Sequence, residues 1–264
     1  MGEFRTVTYE IHNPKIKKAS VVRLACLADV HGSVFGRDNC ILKEKLQENK
    51  PDAILIAGDM VVRSDASTFL NARRLLGSLA KEYPVFYGMG NHESKLRTEG
   101  YMHQAEYLEY EQALKEAGVL FLSNEKYEFH IKGNQFVING LELPLEYYHK
   151  PFSPRLTDEK LTLLMGAPKP DAVNILLAHN PKYGRAYFNW GADLILSGHY
   201  HGGVLRFSRH VGTVSPQFIP FPRYCCGDFY RGKQCMLVSA GLGEHTMPLR
   251  IHNPRELIFI EMKP

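Results

Sequence analysis

Val21-Val22-Arg23-Leu24-Ala25-Cys26-Leu27-Ala28-Asp29-Val30-His31 sets an apolar run of strand length directly against an aspartate and a histidine. A run that is apolar at nearly every position, rather than every second one, suits a strand covered on both faces. The pattern recurs: residues 53–58 end in Gly58-Asp59, and residues 85–88 lead into Gly90-Asn91-His92-Glu93. Residues 174–178 precede His179, and residues 193–197 precede Gly198-His199-Tyr200-His201. Shorter runs at 136–139, 203–207, 236–239 and 257–261 read as further strands. Helical periods separate them, at 39–49 (Ile41, Leu42 and Leu46 on one face), 65–81, 104–117 and 181–189, the last opened by Pro181. Strand and helix in alternation argue for an α/β fold. No repeat, low-complexity tract or linker divides residues 1–264, so one domain is expected.

Composition narrows the class. With 264 residues, 44% hydrophobic and 23% charged, the chain is neither disordered nor fibrous and can bury a sizeable core. No apolar run approaches the ~20 residues of a membrane-spanning helix. The first eighteen residues are polar, with Lys15, Lys17 and Lys18, and do not resemble a signal peptide. Five cysteines (Cys26, Cys40, Cys225, Cys226, Cys235) form no C-x-x-C pair, so a disulfide framework is not expected and a reducing cytoplasm is. The net charge of +4 is too mild to call for nucleic acid, and no basic strip interleaved with aromatics stands out. The surplus is local: residues 203–255 carry Arg206, Arg209, Arg223, Arg231, Lys233, Arg250 and Arg255 against Asp228 and Glu244.

The chemistry gathers where the expected strands end. In open α/β sheets the strand carboxyl ends are where ligands bind. Asp29, His31, Asp59, Asn91, His179, His199 and His201 make a mixed set of two carboxylates, one carboxamide and four imidazoles. Such a set suits Mn, Fe or Zn better than Ca or Mg, and it lacks the thiolates of structural zinc. Seven ligands exceed what one ion takes from protein; two divalent ions sharing Asp59 would use them. Paired side chains two residues apart on extended backbone point the same way, so Asp29 and His31 are expected to converge, as are His199 and His201.

The order D-x-H, G-D, G-N-H-E, H, G-H-x-H resembles the calcineurin-like metallophosphoesterase superfamily, with all five motifs present between Asp29 and His201. The resemblance implies a pair of β-sheets sandwiched between helices, a four-layer α/β/β/α arrangement. It implies one metal on Asp29, His31, Asp59 and His201, and a second on Asp59, Asn91, His179 and His199. His92 matches the family's non-ligand histidine, which steadies the phosphoryl oxygens or protonates the leaving group. The activity implied is phosphoester hydrolysis, by direct in-line attack of a metal-bridging hydroxide on phosphorus and with no phosphoenzyme. A diester substrate is preferred over a monoester. Gly198-His199-Tyr200-His201-Gly202-Gly203, with Gly241-Leu242-Gly243 and Pro248-Leu249-Arg250, is similar to a bacterial branch of small phosphohydrolases that includes membrane-associated members acting on lipid-linked phosphoesters. A small phosphoester or lipid-linked phosphate is therefore the expected substrate. Peripheral membrane contact stays open, and no obligate protein partner is inferred. Where phosphoprotein phosphatases carry Asp-Arg-Gly, this chain has Val62-Arg63-Ser64, which points away from that activity.

Around this set the expectations are looser. Glu93 is expected to orient the site rather than ligate. Arg206, Arg223, Arg231 and Arg250 are candidate substrate contacts, as is His245, which follows Gly241-Leu242-Gly243. Two long loops rich in proline and aromatics, 141–154 and 213–230, are functional candidates by their length, the second as a substrate-selecting wall. A non-catalytic binding scaffold on the same fold would show eroded ligand positions, and none of the seven is eroded.

Overall fold

A computed structural model describes residues 3–17, 20–150, 152–244 and 249–264. The first sheet comprises β1 (Phe4–His12), β2 (Val22–Leu27), β3 (Ala53–Ala57), β4 (Val85–Gly88), β5 (Val119–Leu122) and β12 (Arg255–Lys263). Its order is β1-β12-β2-β3-β4-β5, parallel except where β12 meets β2. The second comprises β6 (Glu125–Ile131), β7 (Asn134–Leu141), β8 (Val173–Ala178), β9 (Leu194–Ser197), β10 (Gly227–Arg231) and β11 (Gln234–Val238), in the order β10-β11-β9-β8-β7-β6. Its core β7-β8-β9-β11 is parallel and its two edges are antiparallel hairpins.

Alternate residues of each central strand serve two cores. Leu24 and Cys26 of β2 and Leu55 of β3 pack inward against Ile138, Ile175, Leu177 and Leu196 of the other sheet. Ala25, Leu27, Ile54 and Ile56 face outward, onto α1 (Cys40–Asn49), α2 (Ser67–Leu79) and α4 (Gln104–Glu116). The second sheet's outer face is covered by α5 (Asp158–Met165) and α6 (Gly184–Trp190), through Leu161, Met165, Tyr187 and Trp190. The layers are α/β/β/α, as the motifs implied. Burial on both faces explains why these strands are continuous apolar runs. Among the described residues no helix is long and apolar enough to cross a membrane.

Two local expectations are corrected. Residues 203–207 do not form a strand: Gly202 and Gly203 take positive φ (70° and 76°), and only isolated bridges, Leu205 to Ile251 and Arg206 to Gly212, follow. Ile41 is exposed, while Leu42 and Leu46 alone carry the buried face of α1. The edge strands β1, β6 and β10 carry no apolar run, since one face of each meets solvent.

Candidate metal centre

β2, β3, β4, β8 and β9 all deliver their following loops to one end of the sandwich. Asp29 and His31 follow β2, Asp59 follows β3, His179 follows β8 directly, and His199 follows β9 after Gly198. Asn91 opens the short helix α3 (Asn91–Leu96) after β4. The convergence arises differently from the extended alternation anticipated. Asp29, His31, Asp59, His199 and His201 all have positive φ (49°, 50°, 55°, 66° and 48°), so each side chain is turned inward by a left-handed kink. Such backbone costs on the order of 1 kcal/mol per residue and persists where the surroundings enforce it. Glycines make the approach feasible. A Cβ on Gly90 would strike Asp59 Oδ1, and one on Gly198 would strike Asp29 Oδ2.

Three overlapping clusters result: Asp29, His31 and His201; His31, Asp59 and His92; and Asp59, His179 and His199. Within each cluster the potential ligand atoms lie within 4.8 Å of one another. Asp59 belongs to two of them. The rings are held by their surroundings. His179 Nδ1–H donates to the Ala57 carbonyl at 2.6 Å, which leaves Nε2 facing Asp59 Oδ2 at 3.0 Å. The His199 amide donates to both Asp29 oxygens at 3.0 and 3.1 Å, and Asn253 Nδ2 donates to the His201 carbonyl at 2.6 Å. The His92 amide donates to Asp59 Oδ1 at 2.9 Å, and its Nδ1 accepts the Arg63 amide at 3.0 Å. A neutral His92 therefore carries its proton on Nε2.

The donor set fits cations. Nε2 of His31 and Nε2 of His201 lie 3.2 Å apart with rings nearly parallel (3°), so two imidazole nitrogens converge at a spacing that suits ligands of one ion. Asn91 Oδ1 is buried with no hydrogen-bond partner among the described residues. The carboxylates are also unbalanced on their own. Burial, reinforced by the Asp59 charge, pushes Asp29 up to about 7 despite the opposing pull of His179. Burial likewise works against charge on Asp59 and His179. Their mutual attraction prevails, so the Asp59 carboxyl is held well below its usual range and His179 is pushed up to about 10. Burial depresses His31 to about 3 and lowers His92.

Glu93 takes the orienting part expected of it. Oε2 accepts the amides of Asp59 (3.0 Å) and Gly90 (3.1 Å); Oε1 accepts the Met60 amide (2.8 Å) and the Tyr87 hydroxyl (2.7 Å). One carboxylate thereby ties the loop after β3 to the loop after β4. Burial and the Asp59 charge push it up to about 8, whereas four donors favour the ionised form.

The arginines part company. Arg250 reaches the cluster: Nη2 lies 3.3 Å from His201 Nδ1, and the guanidinium also donates to the Ala240 and Gly243 carbonyls at 2.8 and 2.6 Å. Arg206 is a corrected expectation. It is buried and spends its donors on the Ser208 and Arg209 carbonyls and on an ion pair with Glu256 at 3.7 Å. Arg231 lies over the Phe188 ring and bonds Asn189 on the outer helix layer, and Arg223 lies over the Tyr224 ring. Charge in the sequence did not say which way these side chains turn. His245 lies outside the described residues.

Tyr148, not singled out from sequence, approaches the centre, its ring 5.2 Å from His199 and 6.3 Å from His179. Its signal was the long aromatic loop that holds it. Gln217, from the other long loop, is buried and donates to the Tyr147 and His149 carbonyls at 3.1 and 3.3 Å, while Asn180 donates to its Oε1 at 3.3 Å. The two loops are thus clasped together beside His179.

Two mixed sheets lie between helices and carry three overlapping clusters of potential metal ligands at their strand ends. The family model for calcineurin-like phosphoesterases matches residues 22–203, and the chain belongs to that family. An uncharacterized metallophosphoesterase of Aquifex aeolicus is 28% identical over 261 residues, covering 98% of this chain and 92% of its own. The phosphodiesterase YaeI of Escherichia coli is 29% identical over 248 residues, covering 92% and 83%. Among solved structures, a putative 5'-nucleotidase from Staphylococcus aureus superposes with TM-score 0.53 at 13% identity, over 85% of this chain and 49% of that one. This last likeness concerns the fold alone.

Proposed function

We propose that the protein is a dinuclear phosphodiesterase. In this reading Asp29, His31, Asp59 and His201 hold one divalent ion and Asp59, Asn91, His179 and His199 hold the second, each ion being Mn, Fe or Zn. The observation that carries it is the run of three overlapping clusters, in which His31 links Asp29 and His201 to Asp59 and His92, and Asp59 links these to His179 and His199, each cluster with its ligand atoms within 4.8 Å. An N/O donor set without thiolate suits these metals. A pair of dications held by these residues would supply Lewis acidity and a nucleophile at neutral pH for in-line displacement at phosphorus.

The chain's own groups do the rest. His92, fixed through Nδ1 by the Arg63 amide, presents Nε2–H to a non-bridging phosphoryl oxygen, where negative charge grows in the transition state. Its depressed basicity keeps it a neutral donor at pH 7. Arg250, anchored on two carbonyls, holds positive charge beside His201. Attack is direct in this reading, with no phosphoenzyme, as the resemblance to the family implies. Preference for a diester is supported by the relative named a phosphodiesterase.

The test is reconstitution with Mn, Fe or Zn, elemental analysis, and parallel assay of mono- and diesters. Two metals per chain and faster diester hydrolysis are expected. One tight metal with no second site on titration, or hydrolysis confined to monoesters, overturns the reading.

A further inference from the structure

Large apolar side chains crowd the surface beside the metal centre. Phe207, Val214, Phe218 and Phe221, from the 205–223 segment, and Leu249 and Ile251 are each at least 38% exposed. Several of them are tied together in pairs. Leu205 bridges Ile251, the Phe207 and Phe221 rings stack with centroids 6.4 Å apart, and Val214 and Leu249 line one small pocket with His201. A groove of about 970 Å³ continues from Phe207 and Ile251 along the open edge of β1, with Val7 and Leu205 in its walls and Arg5 and Arg209 among its cations. Contiguous exposed apolar surface of this kind marks an interaction site.

Charge selects the occupant. From Leu205 to Arg223 the chain carries Arg206, Arg209, His210 and Arg223 and no carboxylate. Arg206 points inward and Arg209 pairs with Asp228 at 2.7 Å. Arg223 and Lys150 make no ion pair among the described residues, and Lys150 lies 5.1 Å from the Phe218 ring. Phe218 and Phe221 both have positive φ (59° and 44°) in a segment punctuated by Pro216, Pro220 and Pro222. Bulky rings on a turned, proline-bounded tip, with cations nearby that no carboxylate neutralises among the described residues, suit the headgroup boundary of a bilayer. There apolar side chains bury and basic ones meet anionic lipid. We propose that this face docks on an anionic phospholipid surface, placing the metal centre at the interface. That the phosphoester hydrolysed there is itself amphiphilic rests on the phosphodiesterase reading above.

Vesicle co-sedimentation of the metal-loaded protein tests this without substrate. The wild type is expected to bind phosphatidylcholine vesicles containing phosphatidylglycerol and to bind pure phosphatidylcholine weakly. Phe218→Ser/Phe221→Ser should lower binding by on the order of tenfold or more. Arg223→Gln should lower it about fivefold and flatten its salt dependence. These side chains are exposed, so unchanged melting confirms that the variants fold. No binding by the wild type, or binding indifferent to the double variant, overturns the proposal. So does sedimentation equilibrium showing a wild-type dimer that the double variant abolishes, since the face would then join two copies. Hydrolysis of a soluble diester without vesicles reports separately on the phosphodiesterase reading.

Discussion

Glu93→Gln tests whether the buried carboxylate behind the metal centre acts on metal binding or only on the scaffold. Its four partners are all donors: the amides of Asp59, Met60 and Gly90 and the Tyr87 hydroxyl, at 2.7–3.1 Å. A carboxamide has one accepting oxygen. If its nitrogen faces Asp59 and Gly90, two amides meet a donor. If it faces Met60 and Tyr87, the hydroxyl turns to accept and only the Met60 amide is orphaned. The second arrangement is cheaper. It leaves one buried N–H unsatisfied, at about 1–3 kcal/mol, and converts the surviving bonds from charged to neutral, at about 1 kcal/mol each. With metal present the total is on the order of 3 kcal/mol. At roughly 2–4 °C per kcal/mol, the melting point falls by about 6–12 °C. Without metal the loss is smaller, because burial and Asp59 already push this carboxyl up to about 8. By linkage the difference between the two losses is the loss in metal affinity, and groups behind metal ligands typically govern it by about 10–100-fold. Melting with and without metal, plus titration of each site, reads both quantities. Equal destabilisation in the two forms, with metal affinity unchanged, would refute the reasoning.

Asp59→Asn should weaken both metal positions together, since Asp59 lies between His31 on one side and His179 and His199 on the other and is the bridging ligand of the proposed pair; titration showing one site intact would remove it as the bridge. His92→Ala should lower kcat by on the order of 10²-fold with metal content unchanged, as expected of an interaction made only in the transition state; a fall in metal content would make it a ligand. Metal loading at pH 7 should release protons, because His179, pushed up to about 10, and Asp29, pushed up to about 7, must give theirs up to ligate. Asp29 binds its proton more tightly folded than unfolded. Its contribution to metal-free stability therefore falls as pH rises from about 4 to about 7, while that of His179 is full below about 6.5 and falls as pH rises from there to about 10. Calorimetry in buffers of different ionisation enthalpy measures the release, and a buffer-independent enthalpy contradicts it.

The parts of the fold legible in sequence are those where burial leaves no choice. β2, β3, β8 and β9 lie between two cores, so nearly every position is apolar and each run ends abruptly at its polar motif. β6 escaped notice because most of its residues are exposed, and β1 because its polar positions interrupt the apolar ones. α5 had signals that went unused: Thr157 caps it by accepting the Lys160 amide, and Leu161 and Met165 are buried four residues apart. Within the site, residue type and order brought out the candidate ligands, because few other arrangements bring four imidazoles to strand ends. Arg206 and Arg231 were invisible as structural residues. A guanidinium satisfied by carbonyls or laid on a ring has the same letter as one offered to phosphate.

The left-handed kinks at five candidate ligands explain why Glu93 sits where it does. A loop that turns Asp59 inward at φ 55° also turns the amides of Asp59 and Met60 away from any strand partner. Left unmatched in the interior, each would cost about 1–3 kcal/mol. Glu93 accepts both, and Gly90's as well, so the residue after His92 satisfies the backbone that the ligand geometry disrupts. The carboxylate needed for this lies beside Asp59 and is repelled by it. Bound cations relieve that repulsion, because they neutralise Asp59 and favour ionised Glu93 at the same time. Loop geometry, hydrogen bonding and metal occupancy are therefore one coupled equilibrium: whatever holds the metals tightens the two loops, and whatever loosens Glu93 releases the metals.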